Sequence, residues 1–399
     1  MSGPLAGVRI LDLTTVVMGP FATQILAELG ADVIKIESHE GDNMRHVGPM
    51  KSPGMGHLYL HLNRGKRDLV LDLKQPEGRE AVLRLAAGAD VLIYNVRPSA
   101  MARLGLSYED IRTANPGIVY VGAYGYSQRG PYAGKAAYDD LIQGATGLPW
   151  LASRNGQTRP QYAPVNVADR ITGLHVVYAV SAALFHRERT GEGQSVEVPM
   201  FESVAQFVLG DHLAGMSYLP PLGGTGYARL QERRIYQTQD GWLCVLVYND
   251  KQWRHFLTAV NRTDLLSDER FATHGKRAQH IGEIYGFLED LIRTRTTAQW
   301  VELLEANDIP VAPMHTVADL LDDPHLHQSG FFEREQHPTE GEVYAPRTPT
   351  GWSTSAPGAR LPTPANGQHS AEILREAGYS DAEIAELARK RVTLLAPGA

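Results

Sequence analysis

The chain has 399 residues, of which 43% are hydrophobic and 21% are charged, and this balance is typical of a soluble globular protein. Its length predicts two or three domains, and its net charge of -7 argues against a nucleic-acid or anionic-membrane partner, since both prefer a basic surface. The single cysteine, Cys244, excludes an intramolecular disulfide and a cysteine-based metal cage. Because residues 1–13 lack the regions of a signal peptide, we expect a cytoplasmic protein.

The first half of the chain alternates short β-branched runs with helical stretches. The predicted strands are residues 8–13, 32–37, 69–73, 90–94, 117–123 and 194–198. The predicted helices are residues 20–29, 76–87 and 172–190, with a further helix from Phe201 onward. This alternation predicts right-handed βαβ units and a parallel sheet covered by helices. The longest apolar run, residues 173–185, is too short to span a bilayer and predicts a buried core helix.

The second half has a different organisation. Residues 218–227 are rich in proline and glycine and predict a linker. A smaller α+β domain is predicted from a strand at 241–247 and helices at 251–260, 281–294 and 297–307. Residues 342–366 are proline-rich and predicted to be irregular, and they precede a final helix at 380–391.

Common catalytic motifs are missing from the sequence: it contains no Gly-x-Gly-x-x-Gly after the first strand, no P-loop, no His-Glu-x-x-His and no Gly-x-Ser-x-Gly. The fifteen histidines have no metal-ligand spacing, so no metal site is predicted. Asp169 starts the most apolar helix, and the pattern alone favours a helix N-cap over a catalytic carboxylate. Basic residues near strand ends suit phosphate groups, although each alone is more simply surface charge. They are Lys66, Arg67, Lys74, Arg97 and Arg103.

Five blocks of sequence, in consistent order over nearly the whole chain, resemble the class III CoA-transferases, such as formyl-CoA transferase and carnitine CoA-transferase. They are PLAGVRILDLTTVVMGPFATQILAELGADVIKIE, LNRGKRDLVLDLKQPEG, IYNVRPSAMARLGLSYEDI, GPYAGKAAYDDLIQGATG and PVNVADRITGLHVVYAVSAALFHRERTGEGQSVEVPMFES. The resemblance implies an α/β fold with a Rossmann-like large domain built from both chain ends and a smaller α+β domain. It also implies a homodimer of interlinked chains with active sites between them.

The implied domain boundaries follow the family's order. Residues 1–200 form the N-terminal part of the large domain, 201–227 a helix and linker, 228–325 the small domain, and 326–399 a linker and the return to the large domain.

The resemblance also implies the site residues. It places the catalytic nucleophile at Asp169 and the coenzyme A contacts at Val17, Met18, Leu71, Asp72, Leu73, Lys74, Asn95, Val96, Arg97, Arg103, Ala136, Ala137, Tyr138 and Asp139. The chain departs from the family at Ser38, where several transferases place a basic residue toward the CoA phosphates, and at Ser99, where glycine is usual. Residues 223–226 (GGTG) are a short counterpart of the family's small-domain glycine loop.

The implied activity moves coenzyme A from an acyl-CoA donor to a carboxylic acid acceptor through an aspartyl anhydride and an aspartyl-CoA thioester. It requires no cofactor beyond the coenzyme A thioester substrate. We expect the helix N-terminus beside Asp169 to favour its carboxylate form, and oxyanion donors to come from Val17 and Met18 or from residues 223–226. The sequence does not specify the acids; Arg170 suits a second carboxylate, but equally solvent or a neighbouring helix.

Two other functions remain open at this point. An α-methylacyl-CoA racemase of the same superfamily uses a Gly-His-Asp block, but the matching residues here are Ala137, Tyr138 and Asp139. Since tyrosine is a poor general base near pH 7, the transferase is favoured. A non-enzymatic CoA-binding scaffold would be favoured only if changing Asp169 left every activity untouched.

Overall fold

The computed structural model describes residues 2–153, 158–223, 233–358 and 360–396. The chain divides into two compact units. The larger unit combines the two ends of the chain, Met1–Val208 and Gly330–Ala399, and the smaller unit is Leu209–Ser329.

A six-stranded parallel sheet forms the centre of the larger unit. Its strands are β1 (Arg9–Leu13), β2 (Asp32–Glu37), β3 (Lys66–Val70), β4 (Val91–Tyr94), β5 (Val119–Tyr124) and β6 (Gln194–Pro199). They lie in the order β3-β2-β1-β4-β5-β6, with Ile10 of β1 beside both Val33 of β2 and Val91 of β4. This confirms the predicted Rossmann-like α/β class. In such sheets ligands bind at the carboxyl ends of the strands where the order reverses, which is here between β1 and β4.

Helices cover both faces of this sheet. They are α1 (Met18–Glu28), α2 (His57–Leu62), α3 (Pro76–Ala87), α4 (Pro98–Arg103), α5 (Tyr108–Ala114), α6 (Asp139–Ala145), α7 (Leu148–Ala152), α8 (Val167–Thr190) and α9 (Met200–His212), followed near the C-terminus by Ser370–Glu376 and Asp381–Arg389. The predicted bounds of β2 and α3 are confirmed. Two of the predicted starts in this unit are wrong by more than two residues, because β3 begins at Lys66 and α8 begins at Val167.

The core has one apolar layer on each face of the sheet, because consecutive strand residues point to opposite sides. Leu11 and Leu92 face a layer that includes α3, α5 and the helix Ser370–Glu376. Ile10 and Val91 face the other layer, which includes α1 and α8. The C-terminal end of the chain therefore completes the core that the N-terminal end begins.

The helix α8 is longer than its predicted apolar run. Its length and composition would allow it to cross a membrane, but the core helix of a soluble protein passes the same test, and α8 packs against α1, α6, β5 and β6. Its buried face includes Val176, Val180 and Ala183. One face of α8 therefore belongs to the core, whereas the predicted burial does not extend to its opposite face, which is exposed.

The segment predicted to be irregular contains a strand. β11 (Gly341–Pro346) pairs in antiparallel fashion with β10 (Phe332–His337), and His337 lies opposite Gly341 across a tight turn. Alternating exposure along both strands is typical of a hairpin with one solvated face.

The smaller unit contains an antiparallel sheet of β7 (Tyr236–Gln237), β8 (Trp242–Val245) and β9 (Val311–Pro313), with β8 in the middle. Its helices are Asp250–Ala259, Glu269–Ala272, His274–Gln279, Ile281–Ile292, Thr297–Glu305, Val317–Leu321 and Pro324–Gln328. Phe256 and Trp300 are fully buried in its core, and the Trp300 indole N–H donates to the Ile292 carbonyl at 2.7 Å. The predicted α+β composition of this part of the chain is confirmed.

Candidate active site

Asp169 is the third residue of α8, in its first turn. The N-cap of this helix is Asn166, so the interpretation of Asp169 as an N-cap is wrong. The Asp169 side chain is only 8% exposed. Its carboxyl group is therefore largely removed from water at the end of a helix, where backbone N–H groups have no partner within the helix.

A second buried carboxylate, Asp139, is bonded to the backbone of Asp169. The Asp169 N–H donates to Asp139 Oδ2 at 2.9 Å, and Asp139 Oδ1 accepts from Gln143 Nε2 at 2.5 Å. Gln143 in turn accepts from the Ala163 N–H at 3.0 Å. The predicted CoA contact Asp139 thus lies against α8, the helix of the predicted nucleophile. The sequence interpretation missed Gln143, which lies one helical turn after Asp139.

Burial raises the pKa of Asp169 to about 7, and the negative charge of Asp139 adds to this rise, while Arg170 opposes it. The pKa of Asp169 thus rises although the carboxyl group lies at a helix N-terminus, which was expected to favour the carboxylate. At neutral pH the group is divided between its acid and carboxylate forms. A carboxyl group whose pKa is shifted toward neutrality by burial and by a neighbouring charge is typical of functional sites.

Close packing brings the start of α1 beside the first turns of α8. A Cβ atom at Gly173 would lie 2.9 Å from the Met18 carbonyl oxygen and 2.8 Å from Phe21 Cδ1. Only glycine permits this approach. The turn that carries the predicted contacts Val17 and Met18 therefore lies next to the helix of Asp169.

The turn between β1 and α1 is strained. Val16 has a φ of +74°, a conformation that a β-branched residue rarely adopts. Its N–H donates to both carboxylate oxygens of Asp42 at 3.1 and 3.2 Å. The Asn95 amide accepts from the Thr15 N–H at 3.0 Å and donates to the Thr15 carbonyl at 2.7 Å. The predicted CoA contact Asn95 therefore holds this turn.

Fully buried charges support the same turn from within. Lys35 Nζ donates to the Thr14 carbonyl at 2.8 Å and to Asp42 at 3.2 Å. Lys66 Nζ bonds Asp12 at 3.0 Å. Since Arg67 also pairs with Asp32, at 2.6 Å, the suggestion that Lys66 and Arg67 meet phosphates is wrong.

The other basic residues of that set are exposed. Lys74 follows β3, while Arg97 and Arg103 lie at the two ends of α4. Within the described part of the chain, none of the three forms a salt bridge. Their charges are therefore free to meet an anionic ligand.

The remaining predicted CoA residues lie mostly at one edge of the sheet. Leu71–Lys74 follow β3, and Asn95–Arg97 follow β4, so both segments extend from carboxyl ends of parallel strands. Leu71 is buried, Asp72 and Leu73 are half-buried, and Val96 is exposed. Before α6, Ala136 is exposed, Ala137 packs against Gly125, and Tyr138 is 68% exposed. Of the predicted glycine loop, residues 224–226 lie outside the described residues.

Comparison with known proteins shows the family to which the chain belongs. Residues 5–370 match the family described as CoA-transferase family III. The chain is 36% identical to the succinate–glutarate CoA-transferase of Agrobacterium fabrum, over 94% of this chain and 95% of the relative. It is 32% identical to a formyl-CoA:oxalate CoA-transferase of Escherichia coli O157:H7, over 97% and 99% of the two chains.

A solved structure shares the fold over nearly the whole length. The crystal structure of a CAIB/BAIF family protein from Brucella suis has a TM-score of 0.81 and 31% identity, covering 94% of this chain and 100% of the other. The sequence resemblance is thereby confirmed. This chain belongs to CoA-transferase family III and is a CoA-transferase.

Proposed function

We propose that this enzyme moves coenzyme A between an acyl-CoA donor and a carboxylic acid acceptor, with Asp169 as the covalent nucleophile. The observation that carries the proposal is a buried, poised carboxyl group in the first turn of α8, beside the β1–α1 turn. The relatives' names, succinate–glutarate and formyl-CoA:oxalate CoA-transferase, support small carboxylic acids as the exchanged groups.

The reaction divides one exchange between acids into covalent steps. An Asp169 carboxylate oxygen attacks the donor thioester carbonyl, the C–S bond breaks, and CoA leaves as the thiolate. The thiolate then attacks the Asp169 carbonyl of the mixed anhydride, which releases the donor acid and leaves an aspartyl-CoA thioester. The acceptor carboxylate attacks that thioester, and the expelled thiolate finally attacks the acceptor's acyl carbon to regenerate Asp169.

Burial favours reaction of the Asp169 carboxylate, because it destabilises the charged form. Its charged form lacks the water that stabilises a surface carboxylate, and conversion to a neutral anhydride removes that cost. Near pH 7 a substantial fraction is ionised and able to attack. The N–H groups at the start of α1, near Met18, are candidate donors to the developing oxyanions, because the first turn of a helix leaves them without helical partners.

The exposed basic residues at the same edge suit the other end of the substrate. Lys74, Arg97 and Arg103 would contact the phosphate groups of CoA through charge-assisted hydrogen bonds. The local charge then compensates for the acidic balance of the whole chain.

We also propose that the enzyme is a homodimer of interlinked chains, as the family resemblance implies. Support comes from large apolar side chains on the outer face of α8, where Leu174, Tyr178 and Phe185 are 53%, 60% and 63% exposed. An apolar face of this kind marks an interaction surface.

The test uses Asp169→Asn, with Asp140→Asn as a control. The neutral amide cannot attack a thioester, so CoA transfer should fall by on the order of 10³-fold or more while CoA binding persists. Asp140 is exposed and adjacent to Asp139, and its substitution should leave transfer within about 3-fold. Wild type that is incubated with acyl-CoA and then with hydroxylamine should be modified on the peptide containing Asp169.

Other outcomes would contradict the mechanism. An adduct on Asp139 or Asp140 would keep the reaction class but show that another carboxylate is the nucleophile. Incorporation of solvent deuterium at the acyl α-carbon, with an unmodified Asp169 peptide, would instead identify a racemase.

A further inference from the structure

Arg170 places a cation directly beside the nucleophile. Its guanidinium carbon lies 4.5 Å from the centroid of the Phe21 ring, in the geometry of a cation–π contact. Burial lowers the pKa of Arg170, and the charge of Asp169 opposes this effect. Arg170 in turn lowers the pKa of Asp169, so the two charged groups lie close enough for a Coulomb interaction.

Apart from this interaction with the charge of Asp169, no carboxylate among the described residues forms a salt bridge with Arg170. The nearby Arg64 is different, since its guanidinium bonds Glu28 Oε1 at 3.1 Å. Partly buried arginines are normally paired, because an uncompensated charge is costly to remove from water. Arg170 is therefore placed to receive an anion from outside the chain.

His61, in α2, lies close enough to this cation for the charge of Arg170 to affect the His61 ring. His61 Nδ1 accepts from Arg64 Nη1 at 3.2 Å, which leaves the Nε2–H as the donor of the neutral ring. Burial lowers the pKa of His61 to about 4, with further contributions from Arg64, His57 and Arg170, so the ring stays neutral. His57 Nδ1 is also buried and lacks a hydrogen-bond partner within the described structure.

We propose that Arg170, held on the Phe21 ring and assisted by His61, binds a second carboxylate of the acyl group and makes the enzyme selective for dicarboxylic acids. The inference rests on the proposed function, because it requires the acyl carbon to approach Asp169. Reacting atoms must come within about 3–3.5 Å of each other. The far end of a short dicarboxylic acid then reaches the neighbouring side chain, whose planar fork matches a carboxylate with two parallel hydrogen bonds.

The test compares acceptors of equal chain length with one or two carboxylates: succinate against butyrate, and glutarate against pentanoate. Arg170→Met keeps an apolar side chain on Phe21 but removes the charge. We expect its kcat/KM to fall about 10- to 100-fold for the dicarboxylates and by less than about 3-fold for the monocarboxylates. Arg170→Lys keeps the charge without the fork and should retain an intermediate preference.

Arg189→Met is the matched control. Arg189 also lies over a phenylalanine ring, 5.5 Å from the centroid of Phe185, but at the opposite end of α8, about 28 Å along the helix axis. Its substitution should leave the ratio between dicarboxylates and monocarboxylates unchanged.

Three results would overturn the inference. An equal loss for both acceptor classes would show that Arg170 acts only on Asp169. An unchanged ratio together with a lower melting temperature and a smaller particle mass would show that it pairs with a partner subunit. If the wild type forms the Asp169 adduct but has equal kcat/KM for succinate and butyrate, the carboxylate subsite is rejected and the proposed function is retained. If no adduct forms, the proposed function itself is rejected.

Discussion

Two buried carboxylates have different tasks at the start of α8. Asp139 is fully engaged, since its two oxygens accept from the Asp169 backbone and from Gln143. The Asp169 carboxyl group makes no described side-chain hydrogen bond that would fix its charge, and its pKa rises to about 7. The hydrogen bonds of Asp139 therefore hold the first turn of α8, and the Asp169 carboxyl group has the freedom that the proposed nucleophile requires.

This division predicts a shift in the pH dependence of transfer. Asp169 must be ionised to attack, so kcat/KM should rise with pH and level off above about 7. Asp139→Asn removes a negative charge that raises the pKa of Asp169. The acid limb should therefore move to lower pH, and activity at pH 6 relative to pH 8 should increase.

The exposed neighbour Asp140 supplies the control, since Asp140→Asn should leave the profile in place. If Asp139→Asn lowers kcat/KM equally at all pH values and does not shift the acid limb, Asp139 has a purely structural role.

The sequence identifies Asp169 only through the family resemblance, because local pattern alone favours a cap. Its relation to Asp139 could not be predicted, since the two residues are separated by 30 positions and meet only when α6 packs against α8. The raised pKa follows from burial, which a sequence does not show for a single polar residue. Arg170 could be suspected from its place beside the predicted nucleophile, but only the fold shows that no described carboxylate forms a salt bridge with it.

At the scale of elements, the β1–α1 turn has a strained backbone that surrounding residues must stabilise. A valine in the left-handed region costs about 1–3 kcal/mol and persists only where its surroundings hold it there. Asp42 does so by accepting the Val16 N–H, and Lys35 links Asp42 to the Thr14 carbonyl. The strain is thus maintained next to the predicted CoA contacts Val17 and Met18.

A double substitution tests this support. Asp42→Asn breaks a buried ion pair with Lys35 and should lower the free energy of unfolding by about 3 kcal/mol. Adding Val16→Gly should recover about 1 kcal/mol, because glycine adopts a positive φ without strain. Urea unfolding would measure both values, and CoA transfer should recover with stability.

Val17→Gly in the same background is the control. Val17 has a φ of -125°, so glycine relieves nothing there and should only destabilise. Equal effects of the two glycine substitutions would show that the turn stores no strain at Val16.

Elements with apolar patterns were predicted well, whereas the error at β3 occurs where the buried residues are polar. β2 and α3 have their predicted bounds. The start of β3 was missed because its first residues, Lys66, Arg67 and Asp68, are charged, yet all are buried in ion pairs. β11 was not predicted because it lies at the start of the proline-rich segment. It is a strand because it pairs with β10.

At the scale of the whole molecule, the larger unit is built from two distant parts of the chain. The helix Ser370–Glu376 packs beside β3, and the Val70 N–H donates to Ser370 Oγ at 3.2 Å. The chain therefore leaves this unit and returns to it. Such a path allows two chains to pass through one another, as the proposed interlinked dimer requires.

The last prediction concerns this assembly. Interlinked chains cannot separate without unfolding, so the particle should have twice the chain mass of 43.8 kDa at every concentration. Light scattering over a dilution series measures the mass. When tagged and untagged dimers are mixed, no hybrid should form under native conditions, whereas refolding the mixture from urea should yield hybrids as a positive control. A monomer fraction that increases on dilution, or hybrids that form without denaturant, would show that the two chains associate only through their surfaces.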